Sequence, residues 1–322
     1  VRVNPVDLVR SLLRQTDDIV AVTGATGWIG SAAMDLLYQA LGDEAPLRVT
    51  GYASAVRELV VSDGRTVVVR PLRELSTQSA APTTLLHFAF LTRERVAELG
   101  IDAYTSQNIA ITTTVLDAIA RHRPRRVVTA SSGAVYSTDD QFVSDLSADP
   151  YGALKRLDEL ALRAATHDAG GVCVVPRIFS LGGRRMTKTG LYALGNMIAM
   201  AAAGGPIDVR AQGPVLRSYC SADEVVALAL WVAFSGRSSV FDTCGASIEL
   251  GDLALMVAQV HGLTPSAVHR TWNPAVGTDR YVGDGRLMEA LAAEAGLHLR
   301  TLHDLVIETS LALTGGNPDT LA

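Results

Sequence analysis

The chain is poor in cysteine: Cys173, Cys220 and Cys244 are the only three in 322 residues. They are odd in number and far apart, so they make neither a disulfide framework nor a metal-ligand spacing, and they suit a reducing cytoplasm. Long apolar runs are also missing. The longest strongly apolar stretch, Val225 to Phe234, falls well short of the roughly 20 residues a membrane-spanning helix needs. The opening segment VRVNPVDLVRSLLRQTDD has no apolar secretory core followed by small residues, so a cytoplasmic protein is expected. Positive charge is not in excess. Lys and Arg total 28 against 33 Asp and Glu, a net charge of −5, and this lacks the electrostatic footprint of a nucleic-acid binder. The one basic run, RHRPRR (121–126), lies between a helix end and a strand start and reads as a solvated connection. No Pro/Gly/Ser-rich linker, fixed-period repeat or low-complexity tract divides the chain. What is present is 48% hydrophobic against 19% charged residues, which excludes a disordered chain and supplies core for one large two-lobed unit.

Strand-like apolar runs alternate with helical spacing over the first half. IVAVT (19–23), LRVTGY (47–52), RTVVVR (65–70), TLLHFAF (84–90), RRVVTAS (125–131) and GVCVVPRIF (171–179) read as strands. Ile29–Leu41, Asp102–Arg121 and the segment after Pro150 read as helices, with residues 1–18 as an added amphipathic arm. Such alternation predicts a parallel sheet with right-handed crossovers and both faces covered. Beyond residue 180 the pattern loosens into a smaller mixed lobe. Helices are expected over GLYALGNMIAMAAAGG, Asp223–Phe234 and Leu250–His261, with a short strand at VFDTC (240–244).

The first strand runs directly into TGATGWIG, which contains Gly24, Gly27 and Gly30. Glycine suits a sharp turn, close approach of backbone N–H groups to a pyrophosphate, and tight packing of the following helix on the sheet. A helix N-terminus there offers unpaired donors and a favourable dipole to the anion. At the end of the second strand, where an acid would hold a ribose 2′-hydroxyl, the sequence reads VTGYASAVREL, with no Asp or Glu before Glu58. Ser54 and Arg57 would instead meet a 2′-phosphate, which tilts the expectation to NADP, with NAD as the alternative; Arg57 could equally be an ordinary surface arginine.

Tyr151 and Lys155 stand four apart in DPYGALKRLDEL, with Asp149 as N-cap and Pro150 at the first helical position. That spacing projects both side chains from one helix face. An ammonium beside a phenol favours the phenolate, so the pair is expected to exchange a proton near neutrality. The strand end TASSGAVYS supplies Ser131 and Ser132, where parallel sheets bind ligands, and a hydroxyl there can share the oxygen that Tyr151 protonates.

Together TGATGWIG, HFAF, Asn108, SSGAVYS, PYGALK, PRIFSLGG and RSYCSADEV resemble the extended short-chain dehydrogenase/reductases of the nucleotide-sugar epimerase/dehydratase superfamily, over about residues 19–312. The resemblance implies an α/β fold, a Rossmann-type doubly wound parallel sheet with a smaller C-terminal mixed α/β substrate lobe. The expected division is an arm over 1–18, a dinucleotide-binding lobe over 19–179 and a mainly substrate-binding lobe over 180–322, with some segments returning to the sheet. Tyr151 would be the catalytic acid/base. Lys155 would tune it and hold the nicotinamide ribose, and Ser132, four residues before Tyr136, would polarise the substrate. Thr26, Trp28 and Ile29 would join the three glycines around the cofactor, with Phe88, Ala89, Phe90, Asn108, Ser131 and Phe179. Arg217 would grip a sugar-nucleotide diphosphate, as a guanidinium fork suits phosphate oxygens, unless it is an ordinary surface charge. Thr92, Ser180 and Asn196 would also face the substrate. Helices 102–121 and 151–167 would build a four-helix homodimer interface.

Departures from the family pattern narrow the reaction. Dehydratases of this kind carry an Asp-Glu pair right after the active-site Thr or Ser, and here Gly133 and Ala134 stand there. Pro71 replaces an adenine-contacting Asp, leaving Leu72 and backbone groups for the adenine, and Ser180 replaces a substrate-side Asn. The expected activity is hydride transfer at a carbonyl or carbinol, that of C4, of a nucleotide-activated sugar or deoxysugar. The first reading is a 4-ketoreductase. The alternative is a 4-epimerase with tightly bound NAD, and a remote third is a non-catalytic dinucleotide sensor. The substrate lobe is most similar to those of bacterial deoxysugar enzymes, and no metal, nucleic acid or membrane partner is expected.

Overall fold

The computed structural model describes residues 3–139 and 141–315. Its centre is a nine-stranded sheet. From one edge to the other the strands run Ser239–Asp242, Val172–Ile178, Arg126–Thr129, Thr84–His87, Val20–Thr23, Val49–Ala53, Thr66–Pro71 and Arg57–Val60, and the short Ser131–Ser132 pairs with Val172–Ile178. Every pairing is parallel except the last, where Arg57–Val60 lies antiparallel to Thr66–Pro71. The chain moves outward from Val20–Thr23 through Val49–Ala53 to Thr66–Pro71, then returns to the other side of the first strand as Thr84–His87. The strand order therefore reverses at Val20–Thr23, and the crevice beyond its carboxyl end is where such sheets take ligands.

Both sheet faces are covered, which is why the strands read as continuous apolar runs. On one face the helices Trp28–Leu41 and Ala222–Phe234 bury Val22, Met34, Leu37, Val174, Leu228 and Phe241. On the other, Ile101–His122 and Pro150–Asp168 bury Leu85, Val115, Ile119, Val127 and Leu162. The arm helix Pro5–Leu13 starts at Asn4, whose side chain accepts from the Asp7 N–H, and seats Leu8, Val9 and Leu13 in the first of these cores. A smaller lobe has its own core around Leu194, Ile198, Leu253, Val257 and Leu305. It holds a four-stranded sheet of Ser247–Glu249, Val215–Ser221, Asp279–Tyr281 and Ser180–Gly182, and a two-stranded one of Ile207–Val209 with Val268–Arg270.

Several elements differ from the sequence expectation. The strand read over 84–90 stops at His87, because the Thr23 hydroxyl accepts from the N–H groups of Phe88 (3.2 Å) and Ala89 (3.3 Å) and draws the chain out of the ladder. The helix read from residue 190 begins at Ala193, after a single turn over Thr189–Leu191. The edge hairpin that pairs Arg57–Val60 with Thr66–Pro71 was not expected. Gly64 turns it at φ +86°, and Val60 and Val68 stay exposed, so no buried face marks the first strand.

Candidate functional site

The cleft at the strand reversal has a volume of about 2120 Å³. One wall is the glycine turn. Gly24 sits at φ +66°, and a Cβ on Gly30 would lie 2.0 Å from the Gly24 carbonyl oxygen, so the following helix reaches this close only as glycine. That helix, Trp28–Leu41, is capped by Gly27 with no side-chain hydrogen bond, and Thr26, Gly27, Trp28 and Ile29 line the cleft. An uncapped helix N-terminus beside glycine backbone suits a phosphate. The Trp28 indole N–H is buried with no partner among the described residues, and its ring meets Tyr192 edge-on at 5.3 Å.

The other wall carries the hydroxyl and amine groups. Ser131 and Ser132 follow the strand Arg126–Thr129, and the Ser132 Oγ accepts from the Ala134 N–H at 3.1 Å. The helix Pro150–Asp168 begins at Asp149, whose carboxylate accepts from the Gly152 N–H at 3.0 Å. Gly152 backs onto Ala134, where a Cβ would lie 2.2 Å from the carbonyl oxygen, so the turn after Ser132 and the start of this helix are locked together. Tyr151 and Lys155 both reach the cleft that Ser132 lines. The Lys155 Nζ is buried, donates to the Ala130 carbonyl at 2.7 Å and lies 3.8 Å from the centre of the Phe90 ring. Phe90 in turn meets Tyr151 edge-on at 6.0 Å.

The electrostatics differ from a simple lysine–tyrosine couple. Burial raises the Tyr151 phenol above its ordinary value; the Ser132 hydroxyl and then the Arg93 guanidinium oppose this. Arg93 lies 5.4 Å from the Tyr151 ring centre and is held at 2.7 Å by Asp149. Burial pulls Lys155 down to about 8, against the carboxylates of Asp158 and Glu159. Behind it, His87 is buried against Thr23 (2.7 Å) and Asp158 (3.7 Å), and burial lowers it to about 4, so the imidazole is neutral. Arg177 grips Glu159 with two bonds of 2.8 and 2.9 Å and also donates to the Tyr136 hydroxyl, which donates to Asp242. This network fixes the floor beneath the serines.

The structure brings most of the sequence-named residues to this cleft. Gly24, Gly27, Gly30, Ser54, Arg57, Phe88, Phe90, Thr92, Phe179 and Ser180 line it with the groups above. Arg217 lines it too, but Asp279 holds its guanidinium at 2.7 Å. Four expected residues are not in the lining. Asn108 is buried and accepts from the Leu91 N–H at 2.8 Å, bracing the loop that carries Phe90. Ala89 is held by Thr23, Leu72 opens a single helical turn at the end of Thr66–Pro71, and Asn196 sits inside the helix Ala193–Ala202. Two residues escaped the sequence reading. Arg93 came without a motif, and Tyr281 lies on the three-residue strand Asp279–Tyr281, too short to show a period. Its hydroxyl is 3.1 Å from the Ser132 Oγ. At Gly133 a Cβ would lie 2.5 Å from the Phe179 ring, so any side chain there would have to displace that ring.

Among the described residues no group of three or more His, Cys, Asp and Glu could hold a metal ion, and no helix is long and apolar enough to cross a membrane. The family model described as "NAD dependent epimerase/dehydratase family" matches residues 20–241. No curated protein sequence matches the chain. Among solved structures, the UDP-N-acetylglucosamine 4-epimerase from Methanobrevibacter ruminantium M1, in complex with UDP-N-acetylmuramic acid, is similar at TM-score 0.72 and 18% identity. The match covers 93% of this chain and 99% of that one. MoeE5 in complex with UDP-glucose and NAD matches at TM-score 0.69 and 22% identity, over 91% of this chain and 97% of its own. DesIV, a dTDP-glucose 4,6-dehydratase from Streptomyces venezuelae, matches at TM-score 0.69 and 20% identity, over 92% and 97%.

Proposed function

The chain belongs to the NAD dependent epimerase/dehydratase family, and from that premise we propose that it is a 4-epimerase of a nucleotide-activated hexose working with tightly held NAD. One observation carries the reading: the glycine turn and the trio Ser132, Tyr151 and Lys155 meet in a single cleft. MoeE5, with UDP-glucose and NAD bound, and the UDP-N-acetylglucosamine 4-epimerase favour this over the ketoreductase reading put first from sequence. The cleft suits the cofactor, because Gly27 leaves the helix N-terminus uncapped and the glycines clear the approach. Gly133 and Ala134 offer no carboxylate for removing water, so dehydration is not supported.

A nicotinamide held by the glycine turn and Lys155 would supply the hydride acceptor and donor for C4. Tyr151 takes the proton of the C4 hydroxyl as the carbonyl forms and, once the 4-keto sugar has turned to present its other face, gives it back to the same oxygen. Ser132 donates to that same oxygen in both halves, stabilising charge as it develops. Lys155 would hold the nicotinamide ribose, and Arg217 would exchange Asp279 for the substrate diphosphate. Thr92 and Ser180 would meet the sugar. In this reading residues 19–179 bind the dinucleotide and 180–322 mainly the substrate. The reduced cysteines suit a cytoplasmic setting.

Heat-released nucleotide from the purified protein is expected to be NAD, and UDP- or dTDP-hexose should gain its C4 epimer with no cofactor added. A protein that purifies empty and consumes NADPH mole for mole would rule this out in favour of the second reading, a 4-ketoreductase. The observation favouring that reading is that Ser54 and Arg57 line the cleft with no acid nearby in sequence before Glu58.

We also propose a homodimer through a four-helix bundle. The helices Ile101–His122 and Pro150–Asp168 leave Ile109 (45%), Leu157 (50%) and Leu160 (48%) exposed, the first two lining a cavity of about 190 Å³. Light scattering should find a dimer, and Ile109→Arg with Leu157→Arg should give a folded monomer.

A further inference from the structure

Tyr281 has no counterpart among the residues assigned above, and its position is specific. The strand Asp279–Tyr281 runs parallel to Val215–Ser221, with Tyr281 in register with Arg217. The ring packs against Phe179 with centroids 4.7 Å apart, while the hydroxyl lies 3.1 Å from the Ser132 Oγ and 3.3 Å from the Ile178 carbonyl oxygen. The strand thus connects the arginine at the far end of the cleft to the serine beside Tyr151. We propose that Tyr281 is a positioning residue for the reaction, holding the Ser132 hydroxyl as an obligate donor toward the reacting oxygen. This deepens the epimerase reading and rests on it.

The argument is a count of protons and lone pairs. A serine hydroxyl has one proton to give and two lone pairs to fill. The Ala134 N–H fills one lone pair at 3.1 Å. The phenol is the more acidic of the two hydroxyls and the serine oxygen the better acceptor, and the contact to Ser132 is the shorter of Tyr281's two. In the proposal the single phenol proton goes to Ser132 rather than to the Ile178 carbonyl, which can only accept, and both lone pairs of Ser132 are then occupied. The serine proton then has one direction left, into the cleft. There it meets the substrate oxygen as carbonyl or as developing alkoxide, which are acceptors only. A serine with a free lone pair could instead turn and accept from the C4 hydroxyl, in competition with Tyr151. Burial pushes the Tyr281 phenol up to about 12, so it keeps its proton across the working pH range. Donors that are already oriented when charge develops need no reorganisation during the step.

The test is a double-mutant cycle read at saturating substrate. Tyr281→Phe keeps the ring on Phe179 and removes only the donor. It is expected to lower kcat about tenfold, the size of one lost hydrogen bond expressed only in the transition state, with KM and NAD content unchanged. Ser132→Ala should cost more. Adding Tyr281→Phe to Ser132→Ala should then change nothing further, because Tyr281 acts through the oxygen already removed. Additive losses would overturn the proposal, as an independent or purely structural role predicts them. So would a Tyr281→Phe rate at or above wild type, the outcome if the phenol donates to Ile178 and Ser132 donates to the phenol. A wild-type protein that turns over no nucleotide sugar overturns both readings. Impairment by Ser132→Ala with a fully active Tyr281→Phe overturns this one alone.

Discussion

Replacing Tyr151 with phenylalanine is expected to slow turnover by about a hundred- to ten-thousand-fold, the range for a positioned proton-transfer group, while the nucleotide content stays at the wild-type level. The phenyl ring preserves the edge contact with Phe90, so the helix Pro150–Asp168 and its Asp149 cap should be undisturbed. What is lost is the only group in the proposed chemistry that both takes and returns the proton. The pH dependence gives a second readout. Burial holds the phenol above its ordinary value, so little phenolate exists near neutrality, and the oxidative half that consumes it should accelerate as pH rises. Removing Arg93, one of the groups that oppose the rise, should move that limb to higher pH. Steady-state rates across pH for wild type, Tyr151→Phe and Arg93→Ala would check this. Wild-type turnover in Tyr151→Phe would identify another proton carrier and sink the assignment.

The second large effect is expected at the glycine turn. Gly30→Ala puts a methyl group 2.0 Å from the Gly24 carbonyl oxygen, and both partners are backbone, so no side-chain rotation relieves the clash. The helix Trp28–Leu41 must move off the sheet, and its uncapped N-terminus moves with it. The expected outcome is a protein that has lost nucleotide binding. In a thermal-shift titration, ligand stabilisation grows as RT ln(1 + [L]/Kd), so wild type freed of its nucleotide should rise steadily with added NAD while Gly30→Ala stays flat. A variant that follows the wild-type curve would show that the turn is not where the dinucleotide binds.

The legible parts of the site were those written in local sequence. TGATGWIG sits between an apolar strand and a helix, and PYGALK brings its own cap and a four-residue spacing, so each motif carries its local geometry. The hairpin at Arg57–Val60 was not legible, because an edge strand with exposed valines shows no buried face. Asn108 looked like a cofactor ligand by motif, but its partners, Leu91 and Tyr104, turn it into a brace for the loop before it.

The sequence by itself determined the alternation of strands and helices, the glycine turn between the first strand and helix, and the placing of Tyr151 and Lys155 on one face of a helix, because each depends on periods and spacings within a few turns of chain. Only the tertiary structure decided which charges surround those groups: Arg93 rather than Lys155 over the phenol, Asp279 on Arg217, and Tyr281 against Ser132, 149 positions away along the chain. Contacts between residues so distant in sequence leave no periodic trace. They exist because the smaller lobe folds back across the carboxyl ends of the sheet and brings its short strands to the mouth of the cleft.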